Sequence, residues 1–175
     1  MESYNILIVL FGIIILGIMI ILFFINNLLL KKERVKNQFE SVNNYINDRI
    51  DLFARIASFV ESNSENEEKY VNSIYDSSDE LSDVCDNGKY DIKKIKKSFK
   101  VIEKYIKLGD IYPDFNKNRI YTMLKEEIIL NEERIVYAME SYDKAAKNFN
   151  ELKTKKIYDK ISKIFKIEDY EYYNK

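Results

Sequence analysis

The chain has 175 residues, enough for one membrane-spanning segment and one modest domain. Its 28 basic and 29 acidic residues give a formal net charge of -1, so no global positive field predicts binding to nucleic acid. With no His and 1 Cys, the chain has no internal disulfide, no Cys/His zinc site and no imidazole-dependent catalytic triad. Only 4 Gly and 1 Pro predict few, long elements.

The first element is an apolar segment. From Ile6 to Ile25 it consists almost wholly of Ile, Leu, Phe, Val and Met, and no charge occurs between Ser3 and Leu30. About 20 such residues cross roughly 30 Å of hydrocarbon as a helix, so a transmembrane anchor is predicted. A cleaved signal peptide is the alternative, but it would begin with basic residues, and this N-terminus carries only Glu2.

The charges flanking the anchor predict its orientation, because basic residues follow it and none precedes it. These residues are Lys31, Lys32, Arg34 and Lys36. By the positive-inside rule, the N-terminus lies outside the cell and the remainder lies in the cytoplasm, with the lysines against anionic headgroups. The prediction is therefore a single-pass protein of the cell membrane, with the lipid bilayer as one partner.

The next segment has the periodicity of a long helix. Apolar residues recur at alternating steps of four and three from Val35 to Val60, and Arg49 occupies one position of this series. This is the seam of a coiled-coil-like helix, and nothing separates it from the anchor. Ser64 and Glu67 are typical of a capping box, which predicts the start of a second helix.

Turn signals then divide the chain. Residues 86–88 (DNG) predict a turn, and Asp91 is predicted to cap a third helix. Gly109 is predicted just past the end of that helix, where a left-handed backbone is favoured. Pro113 then begins a loop, and the last helix is predicted from about Arg119 to about Lys153.

Four helices with short links and matching apolar seams predict the fold. It is all-α, with an N-terminal transmembrane helix followed by an antiparallel up-down four-helix bundle around one common core. The predicted parts are the anchor at residues 1–30, the bundle at residues 31–156 and a tail at residues 157–175. The tail, with Ile157, Ile161, Ile164 and Phe165, is either an amphipathic helix that folds back on the bundle or an exposed aromatic docking peptide.

Several stretches resemble the LemA family. Residues 112–119 (YPDFNKNR) resemble its Tyr-Pro-Asp hallmark, residues 131–135 (NEERI) its Glu-Asn-Arg-Ile segment, and residues 48–52 (DRIDL) its Arg-Tyr-Asp-Leu segment. Its Ala/Tyr/Tyr-Asn pattern is matched by Ala138, Tyr142, Ala146, Phe149 and Asn150. The chain departs at residues 53–56, where FARI replaces Ile-Pro-Asn-Leu, and it lacks the Phe-Pro start of the family's C-terminal segment. The resemblance implies a membrane-anchored four-helix bundle of poorly defined function, often associated with membrane proteases and envelope proteins.

A polar layer is predicted inside the bundle. Arg49 occupies a seam position, and Glu127, Asn131 and Arg134 lie at four- and three-residue steps on the inner side of the last helix. A buried Arg needs a carboxylate partner, so Arg49 and Glu127 are expected to face each other or to share this layer. The layer is interpreted as structural. A metal site of the di-iron type would need Glu-x-x-His motifs, which a chain with no His lacks.

Two surfaces are candidates for contact. Tyr112, Asp114 and Phe115 form a hypothetical partner loop at the membrane-distal end, and the alternative is that these aromatic rings cap the core. The basic residues of the third helix lie beside an acidic second helix. We interpret them as complementary solvated faces, with weak contact to anionic lipid as the alternative. They are Lys93, Lys94, Lys96, Lys97, Lys100, Lys104 and Lys107.

These patterns predict a non-enzymatic, membrane-anchored scaffold or adaptor that presents a cytoplasmic bundle to an unidentified membrane or cytoplasmic protein. No catalytic residue, metal or cofactor is predicted, and Cys85 is interpreted as a small buried hydrophobic residue. Nucleic acid is not an expected partner, because no aromatic residues are interleaved with the lysines. The alternatives are a self-assembling structural or membrane-shaping protein and, less favoured, a regulator with a small-molecule pocket. Oligomerisation is left open.

Overall fold

The computed structural model describes the backbone of residues 2–64, 67–86 and 89–171, and the protein is all-α, as predicted. Its helices are α1 (Glu2–Asn63), α2 (Glu68–Ser82), α3 (Ile92–Ile111), α4 (Arg119–Lys153) and α5 (Lys156–Ile164), with a 3-10 helix at Pro113–Lys117. Two-residue strands β1 (Cys85–Asp86) and β2 (Lys89–Tyr90) pair antiparallel, with Cys85 opposite Tyr90. They flank the predicted turn, of which residues 87–88 lie outside the described range, as do tail residues 172–175.

Helix α1 is continuous over 62 residues, so the apolar segment runs without a break into the helix that follows it. The sequence supplies no proline to interrupt it. Its N-terminal part is long and apolar enough to span a membrane, and none of that apolar stretch is buried by protein. An exposed apolar surface of this length needs a nonaqueous environment, so this part of α1 is a candidate membrane span.

The chain divides into two compact units. Among the described residues, the terminal unit comprises those at 2–36 and 143–171, and the central unit comprises those at 37–142. Four helical segments contribute buried apolar residues to the central unit, which is expected of amphipathic helices that cannot hold their shape alone in water. Examples are Phe53 and Ile56 of α1, Ile74 of α2, Ile102 and Tyr105 of α3, and Leu124 and Ile128 of α4.

Of the two helix caps predicted in the central unit, one is present and the other is not. The Asp91 carboxylate accepts the backbone N–H of Lys93 at 2.8 Å, so the predicted cap of α3 is confirmed. The predicted capping box at Ser64 and Glu67 is wrong. The backbone N–H of Ser64 still donates to the Val60 carbonyl at 2.9 Å, so Ser64 belongs to the end of α1, and α2 begins only at Glu68.

In the terminal unit, the C-terminal segment folds back on α4 and α1. The amide of Asn27 donates to the Tyr158 hydroxyl at 2.7 Å, and the Phe24 and Tyr158 rings meet edge-on at 5.3 Å. Further along, Lys153 Nζ donates to the Ile167 carbonyl at 2.7 Å and pairs with Asp169 at 2.6 Å. The described part of the tail is therefore packed, which agrees with the fold-back alternative.

Helix α5 ends sharply. The Ile167 N–H donates to the Ser162 carbonyl at 2.9 Å, and Lys166 has a positive φ of 49°. This is the pattern of a Schellman motif, in which a left-handed residue reverses the chain after the last helical turn. Glycine usually occupies that position, so the helix end could not be predicted from the lysine that stands there.

Candidate functional site

Arg49 lies in the core of the central unit and is only 1% exposed. Its Nε donates to Asn131 Oδ1 and its Nη1 to Ser98 Oγ, both at 2.9 Å. The guanidinium also lies 4.5 Å from the centre of the Phe99 ring, within the range of a cation–π interaction. Asn131 in turn donates to the Tyr45 carbonyl at 2.9 Å. This polar layer therefore connects α1, α3 and α4.

The charge of Arg49 is poorly compensated. Burial lowers the pKa of its guanidinium from 12.5 to about 10, with partial opposition from the Glu132 carboxylate. Glu132 is half-buried, and burial raises the pKa of its carboxyl. Attraction to Arg49 lowers that pKa in part, and repulsion from Glu103 raises it further. Within the described part of the chain, Arg49 Nη2 has no hydrogen-bond partner. The layer thus holds a charged group at a desolvation cost.

Two members of the predicted layer are in place and two are not. Arg49 and Asn131 meet, but the expected contact between Arg49 and Glu127 is wrong. Glu127 instead pairs with Arg55 at 2.5 Å on the surface, where the two side chains are 39% and 48% exposed, and Arg134 is also exposed. At 100° per residue, positions four before and three after Asn131 lie roughly 40° and 60° away from it on the same side, just beyond one edge of the buried stripe.

Ser98 was missed by the sequence reasoning. It is fully buried, accepts from Arg49 and donates to the Ile95 carbonyl at 2.6 Å. Its only sequence signal is its position three residues after Ile95 and four before Ile102, both of which face the core. A small polar residue at such a position is compatible with either a core or a surface placement, so the pattern alone did not identify it.

The Tyr-Pro-Asp loop caps the core. Phe115 is buried, and its ring centre lies 5.2 Å from that of Phe59 and 5.6 Å from that of Tyr121. Tyr112 is half-buried, stacks on Phe115 at 5.1 Å, and donates from its hydroxyl to Glu67 at 3.2 Å. The prediction that Phe115 belongs to an exposed partner loop is therefore wrong, because its ring is inside. Asp114, at 91% side-chain exposure, remains on the surface.

Gly109 has a different role from the predicted one. Helix α3 continues to Ile111, so Gly109 lies inside the helix. Its N–H donates to the Tyr121 hydroxyl at 2.9 Å, and its carbonyl accepts from Asn116 Nδ2 at 2.8 Å. A Cβ here would overlap Asn116 Oδ1 and lie 2.8 Å from the Tyr121 hydroxyl. Glycine is needed for this close approach, which anchors the loop to α3 and α4.

The other residues that the sequence analysis singled out are exposed or half-buried. The flanking residues Lys31, Lys32, Arg34 and Lys36 lie on α1 just beyond the apolar stretch. Glu80 of α2 and Lys97 of α3 form an exposed ion pair at 2.5 Å, as expected of complementary faces. Cys85 is half-buried, and burial raises the pKa of its thiol to about 11, so the thiol stays protonated at neutral pH.

Helix α4 also carries an exposed apolar face that the sequence analysis did not identify. Ile129 and Val136 are each 41% exposed and Tyr137 is 73% exposed. These residues and three glutamates line a shallow groove at steps of three and four residues. The glutamates are Glu132, Glu133 and Glu140. We call this surface the α4 face, and it combines apolar area with negative charge on one side of the helix.

No group of three or more Cys, Asp or Glu side chains in the described ranges is arranged to hold a metal ion. No curated protein sequence matches this chain. The LemA family model matches residues 38–175, which include the polar layer, the Tyr-Pro-Asp loop and α5. This match extends over most of the chain and agrees with the resemblance seen in the individual motifs, so the chain belongs to the LemA family.

Proposed function

We propose that this protein is a non-enzymatic, membrane-anchored helical scaffold or adaptor of the LemA type. In this proposal, α1 anchors the chain in the cell membrane as a single pass, with its N-terminus outside. The helices of residues 31–156 form an antiparallel up-down four-helix bundle in the cytoplasm. Family membership and the unburied apolar stretch of α1 support anchoring, and the basic residues that follow the stretch support the orientation.

The α4 face is the observation that favours a role in protein binding. Its apolar side chains remain exposed although the same helix buries Ile128 and Ile135 on its other side. An exposed apolar surface bordered by charge is typical of a protein-binding site. We propose that the face receives an amphipathic segment with apolar and basic residues, because the glutamates along the groove would attract such a segment and disfavour acidic ones.

Site-specific photo-crosslinking in native membranes tests this proposal. A photoreactive phenylalanine analogue replaces Tyr137 on the α4 face, or Asp114 as a control on an exposed surface of another element. Each is compared with the same chain carrying Ile129→Lys and Val136→Lys, which make the face polar and offset two of its three negative charges. Crosslinked products are identified by mass spectrometry.

An adaptor gives a specific heterologous product from position 137 that is absent from position 114 and is lost with the two lysine substitutions. Products that contain only a second copy of the chain would replace the adaptor with a self-assembling structural protein. Equal yields from both positions, unaffected by the lysines, would refute binding at the α4 face.

The proposed orientation is tested separately. Lys117, whose side chain is 80% exposed, is replaced by Cys in a Cys85→Ser background. We expect that a membrane-impermeant maleimide labels this Cys only after the cells are permeabilised. Labelling of intact cells would place the helical domain outside and reverse the proposed topology.

A further inference from the structure

Helix α5 and the residue that follows it leave several apolar side chains half or more exposed. Tyr158 and Ile161 are buried, but Ile157, Ile164 and Phe165 are 50%, 75% and 56% exposed. Ile157 and Ile164 are seven residues apart, which places them two turns apart on one side of the helix. The apolar face of this short helix is therefore wider than the part that is packed against protein, and one edge of it is exposed.

Contacts with α1 place α5 at the end of the membrane span. Tyr158 of α5 accepts a hydrogen bond from Asn27 at 2.7 Å, and its ring meets the Phe24 ring at 5.3 Å. The apolar stretch ends at Ile25, and a helix rises about 1.5 Å per residue, so Asn27 lies about 3 Å beyond that end. The point of attachment therefore lies at the boundary between hydrocarbon and headgroups.

The charge of α5 is suited to that boundary. Residues 155–166 contain five lysines and one acidic residue, Asp159, which pairs with Lys163 at 2.8 Å. The lysines are Lys155, Lys156, Lys160, Lys163 and Lys166, and all of them are exposed. The basic residues at positions 31–36 of α1 lie just beyond the same boundary. Lysines at such a level keep their ammonium groups at lipid phosphates while their methylene chains cover apolar surface.

We propose that α5 lies in the membrane interface and binds anionic lipid. Ile157, Ile164 and Phe165 enter the boundary of the acyl chains, and the α5 lysines contact the headgroup phosphates. The C-terminal segment would then be a second membrane contact that fixes the tilt of α1 in the bilayer. This inference rests on the proposed membrane anchoring of α1, and it adds an attachment that the anchor alone does not require.

Tryptophan fluorescence of the full chain in nanodiscs tests the proposal, because the protein has no Trp of its own. Ile164→Trp reports on α5. Tyr137→Trp is the matched control, since these side chains are 75% and 73% exposed. Leu16→Trp reports on the span. Each variant is placed in phosphatidylcholine discs with or without phosphatidylglycerol, and in matched discs whose acyl chains are brominated either near the headgroups, to report on position 164, or near the bilayer centre, to report on position 16.

We expect blue-shifted, bromine-quenched emission from position 164 in phosphatidylglycerol discs, and unquenched, water-like emission from position 137. Replacing Lys156, Lys160 and Lys163 with Gln should reduce the quenching at position 164 and leave the circular dichroism spectrum unchanged. Emission from position 164 that matches the control would overturn the proposal, provided that position 16 is quenched. If position 16 is also unquenched, the anchoring itself fails. Equal quenching with and without anionic lipid would refute the part assigned to the lysines.

Discussion

Replacing Arg49 tests whether the polar layer stabilises the protein through its hydrogen bonds or through its charge. A pKa lowered from 12.5 to about 10 means that the fold disfavours the charged guanidinium by about 3 kcal/mol. The two hydrogen bonds from this charged donor contribute about 1.5–3 kcal/mol each, so they offset that penalty. The net contribution of Arg49 to the free energy of unfolding should therefore be small.

Arg49→Met removes the penalty and the two hydrogen bonds together. Ser98 keeps its bond to the Ile95 carbonyl, but Asn131 Oδ1 loses its donor inside the core. That orphaned acceptor should lower the free energy of unfolding by about 1–3 kcal/mol. Adding Asn131→Leu removes the acceptor, and we expect the double variant to return to within about 1 kcal/mol of the parent.

Arg49→Lys should be worse than Arg49→Met, although it preserves the charge. A lysine ammonium is a compact, strongly hydrated charge that lacks the fork needed to reach both acceptors. We expect a loss of about 3–5 kcal/mol, the range for a buried charge left without its partners. Urea unfolding of the full chain in detergent micelles, followed by circular dichroism, measures all three variants against the parent.

The order of the variants decides the question. If Arg49→Lys were more stable than Arg49→Met, the positive charge would be the stabilising feature, and attraction to Glu132 would outweigh desolvation. If the Asn131→Leu addition lowered stability further, the orphaned acceptor would not explain the effect of Arg49→Met. Either result would refute the view that hydrogen bonds, and not charge, make the layer stable.

Three further predictions concern the central unit, each measured by the same unfolding assay. Gly109→Ala should destabilise by about 1–3 kcal/mol through overpacking, whereas Gly17→Ala, which has nothing within 4 Å of its added Cβ, should not destabilise. Phe115→Ala should lower the free energy of unfolding by about 3 kcal/mol, and Asp114→Ala should leave it almost unchanged. If both variants lost equally little stability, the loop would not cap the core. Burial raises the pKa of the Tyr105 hydroxyl, which has no hydrogen-bond partner in the described ranges. The unfolded Tyr105 ionises near pH 10 and the folded one does not, so the free energy of unfolding should fall above pH 10. Tyr105→Phe should stabilise the protein by about 1 kcal/mol and make that fall smaller. An alkaline stability profile that is the same in the variant and the parent would contradict this.

Long periodic segments made most of the helices predictable. The seam from Val35 to Val60 predicted a helix continuous with the anchor, and α1 is one helix. The start of α3 followed from Asp91, whose carboxylate can cap only the turn that comes directly after it. These predictions succeeded because periodicity and capping depend on neighbours within a few residues.

The predictions failed where contacts between residues far apart in the sequence determine the local structure. Gly109 has the sequence context of a helix end, but its close contacts come from Asn116 and Tyr121, beyond the helix. The single proline correctly marked the loop, yet it gave no information on whether Phe115 faces solvent or the core. That orientation depends on Phe59, which is 56 positions earlier in the chain.

The layer around Arg49 shows why charge alone was a poor guide to its partners. The expectation of a carboxylate followed from the desolvation cost of a lone buried cation. The protein instead surrounds the guanidinium with an amide oxygen, a hydroxyl and the face of Phe99, and it leaves Glu127 to pair with Arg55 at the surface. Neutral acceptors and a ring avoid the burial of a second charge, which would add its own desolvation cost. A sequence rule for buried arginines must therefore weigh small polar and aromatic residues on the facing helices as heavily as carboxylates.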